Sequence, residues 1–276
     1  MKDIKTGGWV LSMEKRRAYD KAARIYDESR PSYPDRVIDW IIKKTGVSSG
    51  DLLLEIGAGT GQGTLKFADR GYRIHCIEMG ANMARILSEK GRNYNITVDV
   101  ASFEDWRPPE GFKTSFIFSA TAFHWLDFEI KYQKCSRLLE DGGYLVLLWN
   151  DSPETTFKEV KEAYDLLWQF YPEKMNTKTT IFDLDQKRKR EIESSGLFQL
   201  VASLNYKWNL KNSREEFLKG FFSQSSYLAL DEAKRKKITP GIEELFWGMG
   251  EVIETEFFTN AYISRKIGFG PHPTDV

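Results

Sequence analysis

The 276-residue sequence predicts an α/β fold, a mostly parallel sheet with helices on both faces and a helical cap. Three observations predict it. Between residues 50 and 150, short apolar runs alternate with helical patterns, about one pair per 20–25 residues, as in βαβ units. These runs are near-continuously apolar, which a sheet covered on both faces requires. Directly after the first run, Leu52-Leu53-Leu54-Glu55-Ile56, comes a turn built on Gly57, Gly59, Gly61 and Gly63 that opens a helix over Thr64 to Arg70. Strand, glycine turn and helix together make a cradle for a nucleotide-like ligand at the carboxyl edge of such a sheet.

In chain order, residues 1–17 read as an N-terminal arm. Residues 18–46 carry helical signals, with Pro34 placed to begin a helix ending near Gly46. Strands are expected at 52–56, 73–77, 96–100, 114–119 and 143–149, the last preceded by a helix end and a Gly142-Gly143 turn. After Trp149 the texture changes. Residues 154–171 read as a helix with Phe157, Val160, Tyr164, Leu167 and Trp168 on one face, and 187–193 as a shorter one. A long strand is expected at 198–210, a helix capped by Ser213 with Glu215 and Glu216 in its first turn, and a final strand at 256–266. The helical material at 151–195 and 213–253 then caps the sheet's carboxyl edge. The run Lys234-Arg235-Lys236-Lys237 reads as a solvated helix face.

The glycine spacing bears on which cofactor the turn takes. A dinucleotide turn needs G-x-G-x-x-G, and here the third position holds Gln62 when counted from Gly57, or Thr64 when counted from Gly59. Glu78, at the end of Ile74-His75-Cys76-Ile77-Glu78, is placed to accept both hydroxyl hydrogens of a ribose. That device is shared with NAD proteins, so Glu78 points to a ribose and leaves the cofactor open. The acidic residue Glu55 followed by G-x-G-x-G resembles the first motif of the class I S-adenosylmethionine-dependent methyltransferases. Tyr26-Asp27-Glu28-Ser29-Arg30-Pro31-Ser32-Tyr33-Pro34 resembles the Y…RP-x-YP entry of small-molecule members of the trans-aconitate methyltransferase type.

The likeness covers about residues 19–150. It implies a Rossmann-like seven-stranded sheet of order 3-2-1-4-5-7-6, with a core over 18–150 and residues 151–276 supplying the cap and the last two strands. It also implies S-adenosylmethionine as cofactor. The cofactor contacts it implies are Tyr26, Arg30, Gly57, Ala58, Gly59, Gly61, Glu78, Met79, Phe103 and Ser119. By the same likeness Ser102 faces the adenine edge, at a position where the family usually has Asp, and Glu55 orders the turn through backbone N–H groups.

Methyl transfer from a sulfonium is an in-line displacement in which positioning alone contributes ~7–11 kcal/mol, so no catalytic triad is required. Of the three histidines, His75 lies in a strand and His272 in the tail. His124, just past the fourth strand in Ala122-Phe123-His124-Trp125, is the candidate general base, with a hydrogen-bonding or pocket-lining role as the alternative. Arg30 suits the cofactor's carboxylate or an acidic acceptor, because guanidinium pairs with carboxylate bidentately. Trp125, Trp149, Trp168, Tyr164, Phe221, Phe222 and Tyr227 are candidates for the acceptor pocket or for plain core.

Composition narrows the partners. Forty basic against 40 acidic residues provide no general attraction to polyanions, which argues against nucleic acid. The two cysteines, Cys76 and Cys135, are too few for a disulfide framework, and Cys76 reads as a small core residue. No apolar run of membrane-spanning length and no apolar leader occur, so a soluble cytoplasmic protein is expected, and no metal site is assigned. The expected activity is methyl transfer to a small molecule, most simply at a carboxylate or hydroxyl oxygen. The alternatives are an NAD(P)-dependent oxidoreductase or a non-catalytic binding module. Oligomeric state is left open.

Overall fold

A computed structural model of the chain describes residues 18–153, 156–171 and 180–267. The expected arm at 1–17 and His272 lie outside these residues. The described part contains a seven-stranded sheet of order β3-β2-β1-β4-β5-β7-β6, as expected. Helix α1 (Ala23–Ser29) leads to α2 (Asp35–Thr45), which starts after Pro34 and stops at Gly46 in the left-handed region, φ +66°. Proline before the first turn lacks an N–H that would be orphaned there anyway, and glycine takes positive φ at a helix end without a Cβ penalty.

Strands β1 (Leu52–Ile56), β2 (Arg73–Glu78), β3 (Ile96–Val100) and β4 (Thr114–Ala120) follow, with α3 (Thr64–Ala68) and α4 (Ala81–Lys90) as crossovers. All four pair parallel with their neighbours in the sheet. Helix α5 (Phe128–Leu138) is capped by Asp127, whose carboxylate accepts from Glu129 N–H, and runs directly into β5 (Leu139–Asp151). This strand begins four residues earlier than expected. Gly142, at φ +75°, absorbs a register shift against β4, so the glycine pair makes an irregularity within the strand instead of a turn before it.

Beyond β5, α6 (Lys158–Trp168) and α7 (Ile181–Ser194) precede β6 (Phe198–Ser213). Helix α7 is longer than the 187–193 expected, because Thr180 and Asp183 form a capping box that starts it earlier. Ser213 and Glu216 form a second such box at the start of α8 (Arg214–Phe222). After α9 (Ser225–Leu228) and α10 (Glu232–Trp247), β7 (Val252–Lys266) returns antiparallel between β5 and β6. On α10, Lys234 and Lys236 pair with Asp231 and Glu232 at the exposed surface, which fits a solvated face.

Packing follows the apolar pattern. One core cluster joins Val37, Ile38 and Ile41 of α2 to Leu53, Cys76, Phe116 and Phe118 of the sheet. A second joins Ile56, Ile117 and Leu147 to Tyr132 and Cys135 of α5 and Ile192 of α7. The cap has its own core, in which Val160, Leu167, Phe221, Ile242 and Phe246 meet. No helix among the described residues is long and apolar enough to cross a membrane.

Candidate functional site

The carboxyl ends of β1, β2 and β4 border a cavity of about 800 Å³, open mouth included. Its floor is the turn after β1. Gly57 and Gly59 have φ of +69° and +57°, a region that L side chains reach only with strain. A Cβ built on Gly57 would stand 2.5 Å from the Ala122 Cβ, so the turn packs against the segment after β4 with no space for a side chain. Gly57 N–H donates to Ile77 C=O at 2.8 Å, which fastens the turn to β2.

Glu78 closes β2 and is 7% exposed. One carboxylate oxygen accepts from Gly59 N–H at 2.8 Å and the other from Gly80 N–H at 2.7 Å. The carboxylate thus stands at the strand end beside the glycine turn, within the cavity lining. Beside it, Ile77, Met79, Met83, Ala101, Phe103 and Leu126 supply the apolar part of the lining.

The N-terminal helix and the segment after β4 supply the polar part. Tyr26 and Arg30 of α1 line the cavity, the guanidinium lying 5.1 Å from the Tyr26 ring centroid. Arg30 Nη2 donates to Ser223 C=O at 3.0 Å, while its buried Nε has no hydrogen-bond partner. A buried donor without an acceptor is costly, and a carboxylate brought into the cavity would relieve it. Tyr19 stands edge-on to Tyr26 at 5.4 Å and to Trp125 at 6.3 Å, joining the two walls. Thr121 is the one non-glycine residue at positive φ among those described, +55°; its hydroxyl meets the Tyr33 hydroxyl at 2.6 Å. Strain of this kind costs about 1–3 kcal/mol and persists where surrounding contacts over-determine it.

His124 lies on the 3₁₀ turn Phe123–Trp125 and keeps exposed surface in the cavity. Its Nδ1 accepts the Trp149 indole N–H at 3.1 Å. In the neutral ring one nitrogen accepts and the other donates, so Nε2 carries the proton. Protein encloses the ring on its other sides; this burial, with Arg188 and Lys131 close by, lowers the pKa from 6.5 to about 4. This arrangement fits the alternative, a hydrogen-bonding role, better than proton abstraction. The ring is a poor proton acceptor at neutral pH, and its available nitrogen is a donor.

Eight of the expected site residues meet in this cavity: Tyr26, Arg30, Gly57, Gly59, Glu78, Met79, Phe103 and His124. Five others lie outside its lining. Glu55 is fully buried and accepts the Thr64 hydroxyl, with Cys76 Sγ 3.9 Å away, instead of ordering the turn through backbone N–H groups. Ala58 belongs to the core cluster below the turn. Gly61 backs onto α4, where an added Cβ would come 2.7 Å from Leu87. The Ser102 hydroxyl is spent on Asp105, donating at 2.7 Å, and the Ser119 hydroxyl ties β4 to β1 by donating to Ile56 C=O at 2.8 Å.

Of the candidate acceptor-pocket aromatics only Trp125 lines the cavity. Trp149 stands behind His124, and Tyr164, Trp168, Phe221, Phe222 and Tyr227 pack into the cap's own core. Sequence reasoning missed Tyr19, Ala101, Thr121 and Ala122. For Thr121 and Ala122 a signal existed, their position between the end of a strand and the Phe-His-Trp run.

Comparison with known proteins agrees with this architecture. Residues 54–147 match the family model described as "Methyltransferase domain". An uncharacterized methyltransferase of Geobacillus thermodenitrificans is 31% identical over 155 residues, covering 53% of this chain and 68% of that protein. An uncharacterized methyltransferase of Mycobacterium tuberculosis H37Rv is 28% identical over 137 residues, covering 50% of this chain and 54% of its own length. The chain thus spans about half the length of such mycobacterial relatives. A structure of an S-adenosylmethionine-dependent methyltransferase from Thiobacillus denitrificans in complex with S-adenosyl-L-homocysteine matches in fold with a TM-score of 0.52 at 11% identity, over 87% of this chain and 94% of that one.

Proposed function

Since this chain belongs to the class I S-adenosylmethionine-dependent methyltransferases, we propose that it moves the methyl group of that cofactor to a carboxylate oxygen of a small molecule. The cavity suits the cofactor. Glu78 sets a carboxylate at the end of β2 in the cavity lining, where it is placed to meet ribose hydroxyls. The glycine turn allows the close approach that a side chain at Gly57 would block. In our reading Phe103 and Met79 flank the base, Tyr26 walls the cavity, and Arg30 offers its unpartnered Nε to the cofactor's carboxylate. When bound, the cofactor supplies a methyl group already activated by the sulfonium charge.

One observation carries the choice of acceptor: the Trp149 indole holds His124 as the neutral Nε2–H form. A hydroxyl or ammonium acceptor must lose a proton before or during transfer, and this ring is badly placed to take it. A carboxylate arrives deprotonated and needs only to be held. His124 then donates from Nε2 to one carboxylate oxygen and leaves the other for the in-line displacement. Charge-assisted hydrogen bonds are about twice as strong as neutral ones, so a single donor orients an anion effectively.

The balance of 40 basic and 40 acidic residues supports a small, soluble acceptor in the cytoplasm over nucleic acid. The test is a screen of small carboxylates, phenols and amines with radiolabelled methyl donor. Carboxylates are expected to give base-labile, methanol-releasing label. Turnover confined to phenols or amines would overturn the carboxylate reading.

A further inference from the structure

Residues 101–106 form the loop after β3, and two of them, Ala101 and Phe103, line the cavity. The loop is a tight turn: Asp105 and Trp106 N–H both donate to Ser102 C=O, and Ala101 N–H donates to Glu78 C=O. Those bonds leave the carbonyls of Phe103, Glu104 and Trp106 facing helix α5. There they meet Lys134, whose Nζ donates to Phe103 O at 2.5 Å, to Trp106 O at 2.5 Å and to Glu104 O at 3.4 Å. An ammonium has three N–H donors, and here each has a main-chain carbonyl to meet.

Lys134 is 8% exposed, with the Glu104 and Asp105 carboxylates near enough to favour its charge. Burying a charge is expensive unless hydrogen bonds replace its water, so the three carbonyls are the reason this lysine tolerates the site. The dependence is mutual. Phe103 and Trp106 rings lie 4.9 and 5.7 Å from the ammonium, so the same charge fixes the side chains as well as the turn. Burial, with Arg107 and Arg137 nearby, holds its pKa below the ordinary lysine value.

We propose that Lys134, which does not itself touch the cavity, is a positioning residue for nucleoside binding: by tying three carbonyls of the 101–106 loop to α5 it sets the wall against which the base of the cofactor rests. The proposal deepens the cofactor reading above and rests on it. The wall belongs to the same cavity as Glu78, and the apolar surface of Ala101, Phe103 and Leu126 suits a planar base. Without the tie, the loop keeps its turn bonds, the Ser102–Asp105 contact and the Trp106 indole's bond to Asp99, but it is no longer held to α5 through those carbonyls, and the base loses a pre-formed surface. Affinity then falls because ordering the loop is charged against binding.

The experiment compares wild-type protein with Lys134→Met and Lys134→Arg, titrating S-adenosylhomocysteine and adenosine by calorimetry at a temperature where circular dichroism shows each protein folded. Lys134→Met is expected to raise Kd at least ten-fold for both ligands, and Lys134→Arg to recover most of the loss. A lysine with only a structural role would lower the melting temperature and leave both Kd values within two-fold of wild type; that result overturns the proposal. So does a loss seen with S-adenosylhomocysteine but not with adenosine, since the wall would then not serve the nucleoside. Lys134→Gln is a third variant, which keeps a side-chain N–H donor for the loop carbonyls where methionine has none. It is expected to weaken both ligands at least three-fold, and wild-type affinity in it overturns the proposal equally. Wild-type protein that binds neither ligand defeats the cofactor reading and this proposal together, whereas tight wild-type binding with unchanged variants defeats this proposal alone.

Discussion

Replacing Gly57 by Ala adds one methyl group where backbone and packing both oppose it. The backbone is at φ +69°, and an L residue in that region costs about 1–2 kcal/mol. The new Cβ would also meet the Ala122 Cβ at 2.5 Å, well inside van der Waals contact. Relieving such overpacking costs about 1–3 kcal/mol more. The expected loss is therefore ~2–5 kcal/mol. For a chain of this size each kcal/mol lowers the melting temperature by about 2–4 °C, so a fall of roughly 4–20 °C is expected.

Gly46→Ala is the control. Its φ of +66° is nearly the same, but no atom lies within 4 Å of the added Cβ, so only the backbone part, ~1–2 kcal/mol, should appear. The excess in Gly57→Ala measures the clash. That clash pushes on Ala122, itself part of the cavity lining, so affinity for S-adenosylhomocysteine should fall with stability in Gly57→Ala and stay unchanged in Gly46→Ala. Differential scanning calorimetry and ligand titration of both variants decide it. Equal melting temperatures for the two, with equal ligand affinity, would refute the claim that turn and β4 segment are packed without spare space.

Four further outcomes follow from the same geometry. His124→Ala is expected to lower turnover of the best carboxylate by about 10–100-fold, as loss of an orienting donor does, with cofactor affinity within two-fold of wild type. Wild-type turnover should be flat from pH 6 to 9, since a ring with pKa about 4 stays neutral throughout; a limb near pH 6.5 would restore the base role. Arg30→Ala is expected to raise the Kd for S-adenosylhomocysteine about ten-fold by removing a charge-assisted pair, and an unchanged Kd in calorimetry would free Arg30 from that assignment. Glu55 is pushed up from 4.5 to about 8, chiefly by burial and further by Glu78. Its folded pKa exceeds the unfolded one, so its contribution to stability is full below pH 4.5 and is lost as pH rises through about 8. Glu55→Gln mimics the protonated group and should melt higher than wild type at pH 9, by a margin that shrinks toward pH 6; a constant margin would contradict the shift.

Much of the fold was legible because its signals are local. The strands at 52–56 and 96–100 were read to the residue, since the first is a largely apolar run and the second, Ile96-Thr97-Val98-Asp99-Val100, alternates with period two. Ser213 was legible as a cap because a capping box involves residues three apart. Element lengths after Trp149 were harder. Strand β7 begins at Val252, four residues before the expected start, because its first residues pair with the end of β6 and carry no pattern of their own. The aromatic residues of the cap misled in another way: Phe221 and Tyr164 look like pocket walls in a list, but Phe221 packs against both Tyr164 and Phe246, which only the folding of α6, α8 and α10 together brings near.

By itself the sequence determined the sheet, the place of the glycine turn and the family, because periodicity, capping and motif spacing act over a few residues. Tertiary structure decided what the polar groups do there. Glu55 and Ile56 are neighbours on one strand, and alternation sends their side chains to opposite faces; the sheet's packing placed Glu55 against Thr64 and Cys76 and Ile56 on the cavity. His124 became a donor through an indole 25 residues away on the adjacent strand. Lys134 was buried against carbonyls of a loop about 30 residues before it. Protonation state and burial depend on neighbours that approach only when helices close over the sheet, and local pattern carries no record of them.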